Sequence, residues 1–318
     1  MIYNAEKSPL FVSRTEEAVH MTTGYIGLGA MGGALATRLL RQHRLLVHDK
    51  NDSVAAGFEE LGATVVPGAD ELASRCDTIF LCLPTSDHVR SVVFGQDGLL
   101  GAVRRGTTII DQTTGDPHAT QEMAEELSHH GVTLVDAPVS GGKAGAAAGT
   151  IAIMVGANAE DFARVRPVLA AISPNIFHAG PVGAGHTIKL VNNLLSGAQR
   201  MLTFEGVALA AKNGIDPRTA VEILQASGGR NAYLERVMIP QVVEGRMDIG
   251  FTLGLAHKDV RLACRLGADS GVPMLYGDLT RSLMQMCLNE NGADAQVDTA
   301  ARIVDRMAGT RVVPDTAP

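Results

Sequence analysis

The chain lacks the marks of several large protein classes. No CxxC pair occurs, and the four cysteines, Cys76, Cys82, Cys264 and Cys287, are scattered. That usage points to reduced, buried thiols in a cytoplasmic protein rather than to disulfides or a zinc site, and no metal is expected. No run approaches the ~18 apolar residues needed to cross a bilayer. Excess positive charge is missing too: the formal net charge of −7 speaks against a general nucleic-acid binder. The first residues, MIYNAEKSPLFVSRTEEAVH, have no apolar signal core and carry three glutamates. Residues 1–21 are therefore expected to be a dispensable extension, not a secretory leader. Neither an internal repeat nor a low-complexity linker interrupts the chain.

What is present is an ordinary globular composition, 46% hydrophobic with 35 glycines, over 318 residues. That length accommodates two domains with sizeable cores. The stretch GYIGLGAMGGALATRLL (24–40) runs from a short apolar strand into a helix through Gly27, Gly29 and Gly32. This is GxGxxG: one glycine for the tight turn, one for close approach of a pyrophosphate, one for packing helix on strand. The loop Gly27, Leu28, Gly29, Ala30, Met31 and Gly32 then offers free helix N–H groups to phosphates. The motif alone is weak, but the next strand, RLLVHD, ends in Asp49, twenty residues past Gly29. A carboxylate there accepts hydrogen bonds from an adenosine ribose and repels a 2′-phosphate, which favours NAD. Lys50 beside it leaves NADP open.

Further strand-like runs follow at 64–67, 77–84, 106–114, 132–140, 149–156 and 175–180, with helix-like stretches between them. Such alternation predicts a doubly wound, mostly parallel sheet, whose ligands lie beyond the carboxyl ends of the strands. Turn-forming and polar residues collect at those ends: Leu83-Pro84, Thr113-Thr114 and Ser140-Gly141-Gly142. The last group is either a cradle of backbone N–H groups for a carboxylate or a flexible loop continued by KAGAAAG. After AGPVGAG the strand pattern stops. A helix is expected from about His186 to Asn213, others from Asp216-Pro217, from near Leu253 to Gly271 and through 294–308, and the tail 309–318 is expected to fray. The domain boundary is placed at residue 184, giving a nucleotide-binding unit over 22–184 and a helical unit over 185–318.

Two polar groups sit within apolar helices. In GHTIKLVNNLL (185–195), Lys189 and Asn193 are four apart and share a face; alone, they read as readily as the solvated stripe of an amphipathic helix. In HKD (257–259), Lys258 and Asp259 are either a surface ion pair or a lysine aimed at substrate or cofactor, with Asp259 holding the loop.

Together, GYIGLGAMG, CLP, DQTT, DAPVSGG, GTIAIMVG, GAGHTIKLVNN and LAHKD resemble the β-hydroxyacid dehydrogenase family, the group around 3-hydroxyisobutyrate dehydrogenase and tartronate semialdehyde reductase. The likeness covers roughly 22–308 in order. It implies an α/β, Rossmann-type doubly wound domain, then an all-helical C-terminal domain joined by one long helix, in homodimers or homotetramers. It implies Lys189 as the catalytic lysine and Asn193 as its substrate-orienting partner. Ser140, Gly141 and Gly142 match the carboxylate cradle. Leu83, Pro84 and Thr114 match cofactor contacts, and Lys258 matches a second lysine near nicotinamide and substrate. DQTT replaces a commoner serine–threonine pair, VGAN lacks a usual second glycine, and His186 occupies a variable place and is given no role.

The expected reaction is hydride transfer between a nicotinamide cofactor and a short β-hydroxy carboxylic acid or its semialdehyde, of the 3-hydroxyisobutyrate type. Tartronate semialdehyde, succinic semialdehyde (4-hydroxybutyrate) and 2-hydroxymethylglutarate chemistry are the alternatives. Lys189 would exchange the hydroxyl proton, which requires a pKa well below the usual 10.4 of lysine. Arg230, in SGGRNAYLE, is either a partner for a second carboxylate or a surface residue. Imine reductases of this architecture lack the lysine, phosphogluconate decarboxylases carry a larger helical domain, and a silent dinucleotide-binding module is the non-enzymatic rival.

Overall fold

The structure, a computed structural model, describes residues 22–315; the expected extension over 1–21 lies outside the described residues. Strands β1 (Thr23–Ile26), β2 (Leu45–His48), β3 (Thr64–Val65), β4 (Thr78–Leu81), β5 (Thr108–Asp111) and β6 (Thr133–Asp136) are all parallel. Their spatial order, 3-2-1-4-5-6, reverses between β1 and β4. The crevice beyond β1 and β4 is therefore the topological switch point, where such sheets bind ligands. β7 (Val139–Ser140), β8 (Ala152–Gly156) and β9 (Ile176–Gly180) extend the sheet, with β8 antiparallel to β6 and β7 and parallel to β9.

The central strands are short and buried throughout, as expected when helices cover both faces of a parallel sheet. One apolar core unites Tyr25, Leu35, Leu39, Phe80, Ile153 and Val155 on the side of α1 (Ala30–Leu40), α6 (Gly142–Ala148) and α7 (Ala159–Ala170). The opposite face packs Ile26, Ile79, Leu81 and Ile109 against α3 (Ala69–Arg75), α4 (Ser86–Phe94) and α5 (Pro117–His129), while α2 (Asp52–Glu60) flanks β2 and β3.

The long helix α8 spans Ala184–Lys212, 29 residues, or about 44 Å at 1.5 Å per residue. Its first turns lie against β6, β8 and β9, and its remainder carries α9 (Pro217–Gln225), α10 (Leu253–Asp269), α11 (Leu275–Asn291) and α12 (Ala300–Ala308). A separate apolar core holds Phe204, Val207, Met238, Leu253, Val260 and Ile303. A π-helical segment, Leu234–Val243, and helix α11 are present where the sequence reading placed no element.

One alternative is set aside and one expectation corrected. Residues 143–148 of KAGAAAG belong to helix α6, capped by Gly149, which sets aside the flexible-loop alternative. The tail does not fray over 309–315: Val312 and Val313 are buried in the helical core, and their N–H groups donate to the Asp305 carboxylate at 2.9 and 2.8 Å. Satisfying those backbone donors lets two valines leave water together.

Candidate active site

The glycine loop follows β1 directly. Gly27 has φ +91°, and a side chain there would also run into the Cys82 carbonyl. Nothing lies within 4 Å of where a Gly29 side chain would begin. A side chain at Gly32 would strike the Gly27 carbonyl oxygen. Turn, open approach and close packing are thus divided among the three glycines as a dinucleotide requires. Gly29 caps α1 without any side-chain hydrogen bond, so the first N–H groups of that helix remain available to phosphate oxygens. Asp49 accepts from the Leu28 N–H at 2.7 Å and from the Asn51 N–H at 2.9 Å, which holds the loop against the end of β2. These residues fit the diphosphate and ribose of NAD(P).

The start of α8 is built on Asp136, at the end of β6. One carboxylate oxygen accepts from the Gly183 N–H at 2.7 Å and the other from the His186 N–H at 2.8 Å. Asp136 is fully buried; burial pushes its carboxyl up, opposed by His186 and by these backbone donors. Gly183 has φ +91°, and a side chain at Gly185 would run into the Met154 carbonyl and the Asp136 carboxylate. Both glycines of GAGHTIK are therefore required by backbone geometry. His186 is wholly buried, with Nδ1 2.9 Å from the Thr120 hydroxyl and Nε2 3.9 Å from Asp111. It packs under the Gly115 turn, a place in the core for a residue with no assigned role.

Lys189 follows one turn later. It is only 9% exposed, not part of a solvated stripe. Burial pulls its amine down from 10.5 to about 8; the Asp259 carboxylate opposes that shift and the Lys258 ammonium adds to it. Desolvation and a like charge together keep a substantial fraction of this amine unprotonated near neutral pH.

The partners of Lys189 come from both halves of the chain. Asn193 donates to Asp259 Oδ2 at 2.6 Å, and Asp259 Oδ1 lies 3.0 Å from Lys258 Nζ. Lys258 in turn donates to the Thr114 carbonyl at 2.5 Å and the Pro84 carbonyl at 3.2 Å. Asn192 donates to Asn193 Oδ1 at 3.0 Å and reaches Ser140 Oγ at 3.4 Å. Helices α8 and α10 are thereby tied to the carboxyl ends of β4 and β5 and to the Ser140-Gly141-Gly142 turn. Beyond Gly142 the space is open. At the cofactor rim, the Leu83 N–H donates to Thr113 Oγ1 at 3.1 Å.

Arg230 does not join this group. Its side chain is 70% exposed and pairs with Glu235 at 3.5 Å. The neighbouring Asn231 bonds Thr203, fourteen residues along α8 from Lys189, about 21 Å of helical rise. Two residues not singled out for the site have clear places in it, Asp136 and Asn192, and Asp259, expected to hold the loop, instead joins Lys258 to Asn193. Asp136 stood in the quoted DAPVSGG and Asp259 in HKD. Their partners are 47 and 66 residues away in sequence, so spacing held no sign of the pairings.

Comparison with known proteins follows this geometry. Residues 22–180 match the family model for the NAD binding domain of 6-phosphogluconate dehydrogenase. Residues 183–304 match that for the NAD-binding domain of NADP-dependent 3-hydroxyisobutyrate dehydrogenase. The chain is 38% identical to 2-(hydroxymethyl)glutarate dehydrogenase of Eubacterium barkeri, over 79% of this chain and 84% of that one. It is 38% identical to a 3-hydroxyisobutyrate dehydrogenase of Pseudomonas aeruginosa, over 82% and 90%. Among solved structures, Mycobacterium tuberculosis 3-hydroxyisobutyrate dehydrogenase with L-serine superposes at a TM-score of 0.80. Its sequence identity is 28%, covering 89% of this chain and 99% of that one.

Proposed function

The chain belongs to the 3-hydroxyisobutyrate dehydrogenase family of NAD(P)-binding β-hydroxyacid dehydrogenases, and on that premise we propose how its residues carry the reaction. It is an oxidoreductase acting on the CH–OH group of a short β-hydroxy carboxylic acid or the corresponding semialdehyde. The single observation that carries the assignment of roles is the buried Lys189 amine, drawn down to about 8 beside Asn193 and Lys258.

Bound NAD(P) supplies the hydride acceptor or donor. Ser140 and the backbone of Gly141 and Gly142 hold the substrate carboxylate, with Lys258 as a nearby cation. Asn193, oriented by Asp259 and Asn192, directs an amide toward the reacting oxygen. Lys189 takes the hydroxyl proton in oxidation and returns it in reduction. Leu83, Pro84 and Thr114 border the nicotinamide end of the cofactor, and Gly27 to Gly32 its diphosphate. Asp49 favours NAD through the ribose hydroxyls, because a carboxylate repels a 2′-phosphate. Lys50 beside it is exposed. Steady-state oxidation of 3-hydroxyisobutyrate, glycerate, 4-hydroxybutyrate and 2-(hydroxymethyl)glutarate with each cofactor tests the reading. Binding of NADH without turnover of any of them would overturn it in favour of a silent binding module.

The working form is a homo-oligomer. On α8, Leu195, Leu202 and Leu209 recur every seventh residue at 56%, 70% and 67% exposure, a seam suited to another helix. It borders an apolar groove of about 410 Å³ lined by α8, α11 and α12. Light scattering should give a dimer or tetramer for the wild type and a smaller species for Leu202→Glu; a monomeric wild type would refute this. Buried reduced thiols at Cys76, Cys264 and Cys287 support a cytoplasmic location. Among the described residues no helix is long and apolar enough to cross a membrane.

A further inference from the structure

The first turn of α8 carries one buried titratable side chain that the proposed chemistry leaves unused. His186 stands three residues before Lys189, so the two share a face of the helix. Its ring is wholly buried and nests under the turn DQTTG (111–115), where a side chain at Gly115 would begin 3.0 Å from its Cε1. That turn is the rim proposed to border the nicotinamide, and Asp111 holds it from within. Asp111 Oδ1 accepts the Thr113 N–H at 2.9 Å, Thr113 Oγ1 accepts the Leu83 N–H at 3.1 Å, and the Thr114 carbonyl accepts from Lys258.

The hydrogen bonds around the ring select its tautomer. Nδ1 lies 2.9 Å from the Thr120 hydroxyl. The hydroxyl's other neighbour, the Asp116 carbonyl at 3.0 Å, already accepts the Thr120 backbone N–H at 3.1 Å and needs no second donor. The hydroxyl proton is thus free to go to Nδ1, which puts the ring's own proton on Nε2. Nε2 faces Asp111 Oδ2 at 3.9 Å, and neither atom has a hydrogen-bond partner among the described residues. That separation is longer than a hydrogen bond, but its sign depends on the proton. In the opposite tautomer two bare lone pairs would face each other in the interior, which a low-dielectric core penalises. With the proton on Nε2, the same approach is attractive.

We propose that His186 is a positioning residue: its Nε2–H, turned to Asp111, ties the cofactor rim to the helix that carries Lys189. The spacing between hydride transfer and proton transfer is set through that link. The proposal rests on the hydroxyacid reading above and adds to it a residue that touches neither substrate nor cofactor. Asp136, the other anchor of α8, grips the backbone N–H groups of Gly183 and His186 and would hold any side chain at position 186. Asp136 fixes where the helix begins, and the His186 ring fixes how the rim sits upon it. An apolar side chain of similar size would fill the same space but leave the buried Asp111 oxygen without a donor.

The test sets His186→Leu against His186→Gln, whose amide reaches about as far as Nε2 and restores an N–H. His186→Leu should lose roughly 10- to 100-fold in kcat for 3-hydroxyisobutyrate oxidation, the cost of a small misplacement. Its NADH affinity should stay within about threefold of wild type, because the diphosphate loop and Asp49 lie on β1 and β2. His186→Gln should return kcat to within about threefold of wild type. Substrate deuterated on its carbinol carbon should slow His186→Leu at least as much as the wild type. NMR of the wild type labelled with ¹⁵N-histidine should show a proton on Nε2 of His186 and none on Nδ1, the signal being identified by its loss in His186→Gln. A proton on Nδ1 instead, near-normal kcat in folded His186→Leu, equal losses in the two variants, or a slow His186→Leu without an isotope effect each overturns the proposal. Should His186→Leu not fold, the Nε2 proton and His186→Gln decide, a kcat more than about tenfold down in the latter being the refuting result. If the wild type turns over no hydroxyacid while Nε2 carries the proton, the hydroxyacid reading fails and the link between rim and helix stands. If wild type and His186→Leu turn over alike, the reading stands and the positioning role fails.

Discussion

Replacing Lys189 with arginine isolates the proton-transfer role proposed for it, because a guanidinium keeps the positive charge but does not deprotonate in the accessible pH range. At pH 7.5 a lysine titrating at 10.5 holds about one amine in a thousand unprotonated, whereas Lys189 at about 8 holds about one in four. The site therefore presents roughly 200-fold more free base than an exposed lysine would. In the wild type, kcat/KM for hydroxyacid oxidation at saturating NAD should rise with pH and level off. The inflection should fall at or below about 8, since a positive nicotinamide ring can only lower it further. Semialdehyde reduction, which needs the ammonium, should weaken as pH rises through the group's pKa. Lys189→Arg should lose ~10²–10⁴ in kcat, the usual worth of a positioned proton-transfer group, while binding NADH as before by fluorescence titration. Arginine turnover within about tenfold of wild type, or a wild-type inflection near that of free lysine, would refute the assignment.

The same amine should make the fold less stable than it could be. Its pKa is lowered in the folded state, so the unfolded chain binds the proton more readily, and stability rises with pH between about 8 and 10.5. Lys189→Met should accordingly stabilise the protein at neutral pH by up to about 3 kcal/mol. Its advantage in melting temperature should shrink toward pH 10.5; a lower melting temperature at pH 7 would contradict this. Gly32→Ala drives a methyl into the Gly27 carbonyl, and NADH titration should show binding lost because backbone on backbone has no slack. Asp136→Asn removes a carboxylate that caps α8 through two N–H groups. It should cost about 0.5–2 kcal/mol in denaturant melts, as lost caps do. It should also lower kcat more than it raises the KM for NAD, because the helix that aims Lys189 loses its anchor.

The parts of this protein legible in one dimension are those whose chemistry is local. Gly27, Gly29 and Gly32 meet the needs of one tight turn, and the strand–helix alternation reports the sheet because each element is patterned by its own burial. Lys189 and Asn193 share a face through helical periodicity alone. Helix α11 escaped because its buried stripe includes Gly277 and Thr280 while Leu275, Tyr276, Leu279 and Met286 lie exposed, and the π-helical segment at Leu234–Val243 because Pro240 stands within it. The tail 309–315 escaped for another reason: Asp305, a polar residue in a short helix, is what satisfies its backbone.

The sequence by itself determined the dinucleotide loop and the α/β-then-helical order, since each is written in contiguous residues under a short-range geometric rule; it put Lys189 and Asn193 on one helix face without deciding what that face meets. Only the tertiary structure decided that Asp259 orients Asn193 and that Lys258 bridges α10 to the ends of β4 and β5. Those are contacts across tens of residues, set by how helices pack in three dimensions. Burial, which moves the Lys189 amine from its ordinary value to about 8, exists only once both halves of the chain have closed around it.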